Sequence, residues 1–408
     1  VDRPRRTDAS KVCGRGDCMR MRLIVAATAC LVALAAILAL PAGMGLRAGP
    51  ASMTVTSAEG PAPPPQPETG PGGKDYAHAG VRVRSGGEGA GQYWIFEPQD
   101  PTPYQAPVVV FLHGWGAMLP DAYLGWIDHI VRKGRIVIFP RYQSSLATPP
   151  ATMTDHAMRA IQDALRDLRQ GGGVRPELDR FALVGHSLGG VIAANLAARA
   201  GADGSVPVPA ALMVVQPGDP PLTRLGGSLR QPSIMEDYGL IPRQTLMLVV
   251  VGDEDGTVGE ETARILFQRA GVAAPNKNYV VLHSDRHGSP PLVADHVAPA
   301  ALRPSTQSTV PAVSSPWVQG MALRLYELLT GQPDIDGRVQ APDALDFYGF
   351  WKLLDALTDA AWYYRHREVA LGDTPQQRYM GVWSDGVPVR EMEVWTAEEF
   401  AMWLAGGT

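Results

Sequence analysis

The chain has 408 residues, 45% of them hydrophobic, and a formal charge of −5. That apolar content supports a large buried core, which excludes a disordered or fibrous chain. The acidic balance argues against a nucleic-acid partner, and neither Gly-x-Gly-x-x-Gly nor Gly-x-x-x-x-Gly-Lys occurs to cradle a nucleotide.

In chain order, residues 1–22 carry seven basic and three acidic side chains, and Leu23–Leu40 carry no charge at all. A basic flank ahead of an alanine- and leucine-rich run predicts an export signal or signal anchor within residues 1–50. Small residues at Ala42-Gly43 and Ala48-Gly49 offer cleavage sites, and if the segment stays it is the one membrane contact expected. Positive residues stay inside, so the rest of the chain is expected to be secreted, periplasmic or held at the cell envelope. Cys13, Cys18 and Cys30 are the only cysteines, so the exported part has no disulfide. Without the eight basic and three acidic residues of this segment, the formal charge goes from −5 to −10.

Residues 51–75 read as a flexible linker, because Glu59–Gly73 is dense in proline and glycine and has few side chains to bury. From there to residue 330, strands expected at Val108–Leu112, Ile136–Pro140, Phe181–Val184, Ala211–Val215, Leu246–Val251 and Tyr279–Leu282 alternate with helices. The helical patterns run over Asp121–Lys133, Met153–Arg169, Val191–Arg199, Glu260–Ala270 and Pro316–Leu329. Such alternation implies an α/β fold, a mostly parallel sheet with helices on both faces, over residues 76–330. Gln216–Arg243 is the only place for a lid, and it is too short for a helical cap.

Three strand ends in this frame carry chemistry. Phe181-Ala182-Leu183-Val184 leads into Gly185-His186-Ser187-Leu188-Gly189 and an alanine-rich helix, a strand, sharp turn and helix with a serine at the apex. The glycines leave room for a strained turn, and the helix N-terminus faces the serine hydroxyl. Val108–Leu112 ends in His113-Gly114-Trp115-Gly116, where the Trp115 N–H can join the Leu188 N–H as an oxyanion hole. Thr245–Val251 is followed by Gly252-Asp253-Glu254-Asp255, whose carboxylates fall where a histidine-orienting group belongs. Asn278–Leu282 is followed by His283-Ser284-Asp285-Arg286-His287-Gly288, which is expected to hold the base. The order Ser, then acid, then His is the one that α/β-type serine hydrolases use.

On these motifs the chain resembles the α/β-hydrolase superfamily, in its Ser-nucleophile esterase and lipase branch, with similarity to cutinases and dienelactone hydrolase relatives from about Tyr76 to Thr330. Serine stands at 187 where the dienelactone hydrolases use cysteine, and a C-terminal disulfide common in secreted polyester hydrolases is missing. The resemblance implies Ser187 as nucleophile, and its Gly-x-x-Asp-x-x-Val pattern, here Gly252, Asp255 and Val258, selects Asp255 over Asp253 and Glu254 as the acid. His287 is preferred to His283 and His296 as base, since a few residues must separate the strand end from a ring that reaches back over Ser187. His113 and His186, with the motif glycines Gly114, Gly116, Gly185 and Gly189, are expected to support the site from below. His283 and His287 alone stand four apart, in a loop, so neither metal nor cofactor is implied.

Residues 331–408 hold five of the nine tryptophans. Phe347, Trp351, Leu354, Leu357, Ala361 and Tyr364 recur at helical spacing, and Tyr379–Val394 reads as a hairpin around Asp385-Gly386 with Pro388 at an edge. A helix and hairpin appendage packed on the catalytic domain is expected, in preference to a binding platform for carbohydrate or polymer. The expected function is a secreted or membrane-tethered serine hydrolase that cleaves carboxylic esters, small or polymeric, through an acyl-enzyme. The alternatives are acyl transfer or amide hydrolysis by the same residues, or a non-catalytic envelope binding protein of this fold.

Overall fold

The computed structural model describes residues 60–218, 234–301 and 341–406. The export segment, the middle of the expected lid and the helix expected at 316–329 lie outside the described residues. Strands β1 (Gly80–Gly86), β2 (Tyr93–Gln99), β3 (Gln105–Leu112), β4 (Ile136–Pro140) and β5 (Arg175–His186) are followed by β6 (Ala211–Val215), β7 (Leu246–Gly252), β8 (Lys277–Leu282) and β9 (Glu393–Thr396). They form one sheet in the order β1-β2-β4-β3-β5-β6-β7-β8-β9. The six strands from β4 to β8 pair in parallel, while β1, β2 and β9 are antiparallel to their neighbours.

Alternate residues of the central strands feed two separate cores. Val108, Val110, Leu112, Phe181 and Leu183 face one side with α2 (Met153–Gln170), α3 (Leu188–Asp203), α4 (Glu261–Arg269) and Phe400 of α6 (Ala397–Leu404). Val109, Phe111, Ala182 and Val184 face the other, with α1 (Leu124–Arg132) and α5 (Lys352–Tyr363). Burial on both faces is why these strands read as unbroken apolar runs in the sequence. The runs end together at the C-terminal edge of the sheet, where the candidate site lies.

The six expected strands are present, with Phe181–Val184 the buried end of the longer β5. The antiparallel pair β1 and β2 was not anticipated, because β1 reads Gly-Val-Arg-Val-Arg-Ser-Gly and its apolar signal is only two valines. Its arginines have a specific partner: Arg82 and Arg84 pair with the fully buried Glu97 of β2, at 3.0 Å each.

Residues 341–406 are built into the sheet and its helical layer. A π-helical turn, Leu345–Trp351, continues into α5, and Trp351 is buried against the His129 ring with centroids 4.5 Å apart. The expected hairpin is reduced to an isolated bridge between Val382 and Pro388. The Asp385-Gly386 turn is there, but the chain beyond it leaves its partner and adds β9 to the open edge of β8. An unpaired edge satisfied by a longer ladder outcompetes a two-residue bridge.

The linker expectation fails over its described part. Residues 60–73 have little regular structure, yet they are tied to the appendage. Gly72 donates its N–H to Asp355 Oδ2 at 2.9 Å, Ser384 N–H reaches Ala62 O at 3.0 Å, and Pro64 is buried beside Gly381. Gln66 donates to the Tyr76 hydroxyl, which meets His129 Nδ1 at 3.1 Å, and His129 Nε2 meets Asp355 Oδ2 at 2.9 Å. Proline prevents helix in this segment but leaves its carbonyls and rings free to pack.

Candidate active site

Ser187 sits between the end of β5 and the first residue of α3, with φ +56° and ψ −125°. A non-glycine residue in that region costs about 1–3 kcal/mol and persists only where its surroundings force it. Here they do: Ser187 N–H donates to Val215 O at 2.9 Å, and its carbonyl accepts from Gly190 and Gly218. A Cβ on Gly185 would lie 2.1 Å from Gly189 O, and one on Gly189 would lie 2.1 Å from Leu112 O. Both motif glycines are therefore required by close backbone approach.

The loop after β3 touches the same serine. A Cβ on Gly114 would lie 3.3 Å from Ser187 Cβ. Gly114 N–H donates to the Tyr123 hydroxyl at 3.0 Å and Gly116 N–H to Gln143 Oε1 at 2.8 Å. No described group accepts from the Trp115 N–H between them, and Leu188, first in α3, has an N–H with no intrahelical acceptor. His113 lies beneath this loop, its Nδ1 2.7 Å from Gly114 O and its Nε2 2.9 Å from Arg141 O, stacked on Tyr142. Burial pushes its pKa down to about 4, against the pull of the two carbonyls.

Asp255 follows β7. Its Oδ1 accepts from the N–H groups of Thr257 and Val258 at 2.9 and 3.0 Å, and its Oδ2 lies 2.8 Å from His296 Nδ1. Burial works to raise this carboxyl, but hydrogen bonds from His296 and the two amides hold it below its ordinary value. An ionised carboxylate accepts only, so the His296 proton is on Nδ1 and Nε2 is free to accept. His296 Nε2 lies 3.0 Å from Ser187 Oγ.

The structure thus corrects the histidine. His287 points at the appendage, its Nε2 2.8 Å from Asp385 Oδ2 and its ring edge-on to Trp383. The loop after β8 is longer than the expectation assumed, and the ring that meets Ser187 arrives on its return limb. His283 and the carboxylates that compete with Asp255 are engaged elsewhere. Asp253 accepts from His283 Nδ1 and from the N–H and hydroxyl of Ser284, and Glu254 pairs with Arg286.

Ser284 Oγ in turn accepts from Ala294 N–H at 3.0 Å, which seats the return limb two residues before His296. Gln216 Nε2 adds a second hold, donating to Asp295 O at 2.6 Å. These supports were missed in the sequence, as was Tyr123, whose hydroxyl lies 2.8 Å from His186 Nδ1. His186 Nε2 lies 2.8 Å from His296 O. Only a serine followed closely by paired prolines, Ser289-Pro290-Pro291, signalled an excursion before His296. Among the described residues no group of three or more His, Cys, Asp or Glu is arranged to hold a metal ion, and no helix is long and apolar enough to cross a membrane.

A nucleophile elbow at the carboxyl end of a doubly covered parallel sheet, with acid and histidine on the loops after later strands, decides the fold family. The chain has the α/β-hydrolase fold. Residues 87–268 match the chlorophyllase family model, a family of serine esterases of this type. No curated protein matches the chain. The matched part of the hydrolase holds Ser187 and Asp255 and ends before His296, and it points to ester hydrolysis.

Proposed function

We propose that this α/β-hydrolase cleaves carboxylic esters through a serine acyl-enzyme. Ser187 attacks the carbonyl, His296 takes its proton and returns it to the leaving alcohol, and Asp255 fixes the imidazole tautomer. The Trp115 and Leu188 amides stabilise the oxyanion, each donor in such a site contributing about 3–4 kcal/mol. Water then releases the acid. The observation that carries this reading is the pair of contacts made by one ring, His296 Nε2 to Ser187 Oγ and His296 Nδ1 to Asp255 Oδ2.

The experiment is covalent labelling by a fluorophosphonate probe, followed by turnover of p-nitrophenyl esters of increasing chain length and of chlorophyll, the substrate in the name of the matched family. Labelling is expected in the native protein and lost in Ser187→Ala, with ester turnover down by about 10⁴-fold or more. A Ser187→Ala protein that keeps a tenth of its activity overturns the reading. The proposed setting is outside the cytoplasm, supported by the basic flank and uncharged run of residues 1–40.

A further inference from the structure

Tyr123 and His186 join three loops through a chain of hydrogen bonds whose directions are all fixed. The His296 carbonyl can only accept, so the His186 proton is on Nε2. His186 is 5% exposed, and burial holds its pKa down at about 3, so the ring has no second proton. Its Nδ1 must therefore accept from the Tyr123 hydroxyl, and the Tyr123 oxygen must accept from Gly114 N–H. The run from Gly114 N–H to His296 C=O leaves every participating group satisfied.

Its ends matter. Gly114 precedes Trp115, whose amide belongs to the proposed oxyanion hole, and His296 is the proposed base. His186 itself precedes Ser187, and its ring lies against the His296 ring with centroids 4.9 Å apart.

Building on the reading of Ser187, Asp255 and His296 given above, we propose that Tyr123 and His186 are positioning residues that hold the oxyanion loop and the base loop at one fixed separation from Ser187. They touch no substrate. Their effect is on the placement of groups that do, and a misplacement of about 1 Å in such a site costs on the order of 10²-fold in rate.

The test uses the full chain, p-nitrophenyl butyrate, and the variants Tyr123→Phe, His186→Leu and His186→Gln. Tyr123→Phe and His186→Leu are expected to lower kcat by about 10- to 100-fold with KM within about threefold, because positioning acts on the transition state. Labelling by the fluorophosphonate should slow in parallel. Glutamine can donate with Nε2 and accept with Oε1, so His186→Gln should recover most of the rate, which a filler of space would not explain. Tyr123→Phe combined with His186→Leu should be no slower than His186→Leu alone, since both break one chain.

Rates within about twofold of native in Tyr123→Phe and in folded His186→Leu overturn the inference, as does a His186→Gln protein no faster than His186→Leu. A Tyr123→Phe protein that fails to fold also overturns it, assigning the pair to stability alone. If Ser187→Ala still labels, the triad reading fails and takes this inference with it. If Ser187→Ala is silent while Tyr123→Phe runs at full speed, only the inference fails.

Discussion

Asp285 and Leu292 exchange both of their backbone hydrogen bonds, at 2.8 and 2.9 Å. This closes a small loop that carries residues 286–291 away from the nucleophile and returns the chain to the site before His296. Asp285 also uses its side chain to hold the appendage, accepting from Trp383 Nε1 and Arg390 N–H. His287 lies within the closed loop, its N–H bonded to Asp285 Oδ1 at 2.9 Å.

Exchanging the two histidines in turn therefore separates the proposed site from its neighbour. His296→Ala should lower ester turnover by about 10³-fold or more, and Asp255→Asn by a comparable factor through the wrong tautomer. His287→Ala should stay within about threefold, because it removes only a half-exposed pair with Asp385. Kinetics of the three purified variants decide it, and a dead His287→Ala beside an active His296→Ala would restore the sequence expectation.

Two glycines in the proline-rich segment give a sharper test of its packing than truncation. Gly70 and Gly72 both have positive φ, +84° and +77°. A Cβ on Gly70 meets nothing within 4 Å, whereas one on Gly72 lies 2.0 Å from Phe347 O and 3.2 Å from Lys352 Cβ. Gly70→Ala should cost about 1 kcal/mol and Gly72→Ala about 3 kcal/mol or more. Equal melting temperatures for the two would show that the segment is a free tether after all.

Acid stability should depend on Asp355. Burial favours its protonated form, but His129 and Arg135 beside it hold the folded-state carboxyl well below its ordinary value of 3.8. The unfolded chain takes up this proton first as pH falls, so the contribution is present above pH 3.8 and is lost as pH drops through the folded value. Denaturant unfolding should find Asp355→Asn less stable by about 3 kcal/mol at neutral pH. The gap from native protein should narrow below pH 3.8, and a gap that stays constant to the acid unfolding limit would assign the effect to shape.

Trp351→Ala should destabilise the chain by about 3–5 kcal/mol, since the ring is 1% exposed and stacks on His129 between α1 and α5. The fall should appear in calorimetry while ester kcat at a permissive temperature changes little. A loss of activity with unchanged stability would instead assign the aromatic C-terminus to substrate capture.

How much of this was legible in the sequence follows physical lines. Ser187, Asp255 and the loop of Trp115 sit within a few residues of buried strands, so local pattern located them. His296 depends on a loop closed by Asp285 and Leu292 and seated by Ser284, whose N–H reaches Asp253 across 31 residues, contacts with no periodic trace. The parallel strands, buried on both faces, declared themselves as apolar runs. β1 and β9 lie at the sheet edges, where Arg82, Arg84 and Glu393 break the pattern. Gly72 and Asp355 lie far apart in sequence, and no composition rule links them.

β9 has a consequence for how the chain is made. It follows the other described strands in the chain, yet it covers the outer edge of β8, which is synthesised well before it. Until Glu393–Thr396 emerge, β8 presents an open row of backbone donors and acceptors beside a finished parallel sheet. The edge therefore stays open until residues 393–396 have been made, and the nascent chain is most vulnerable to intermolecular pairing in that interval.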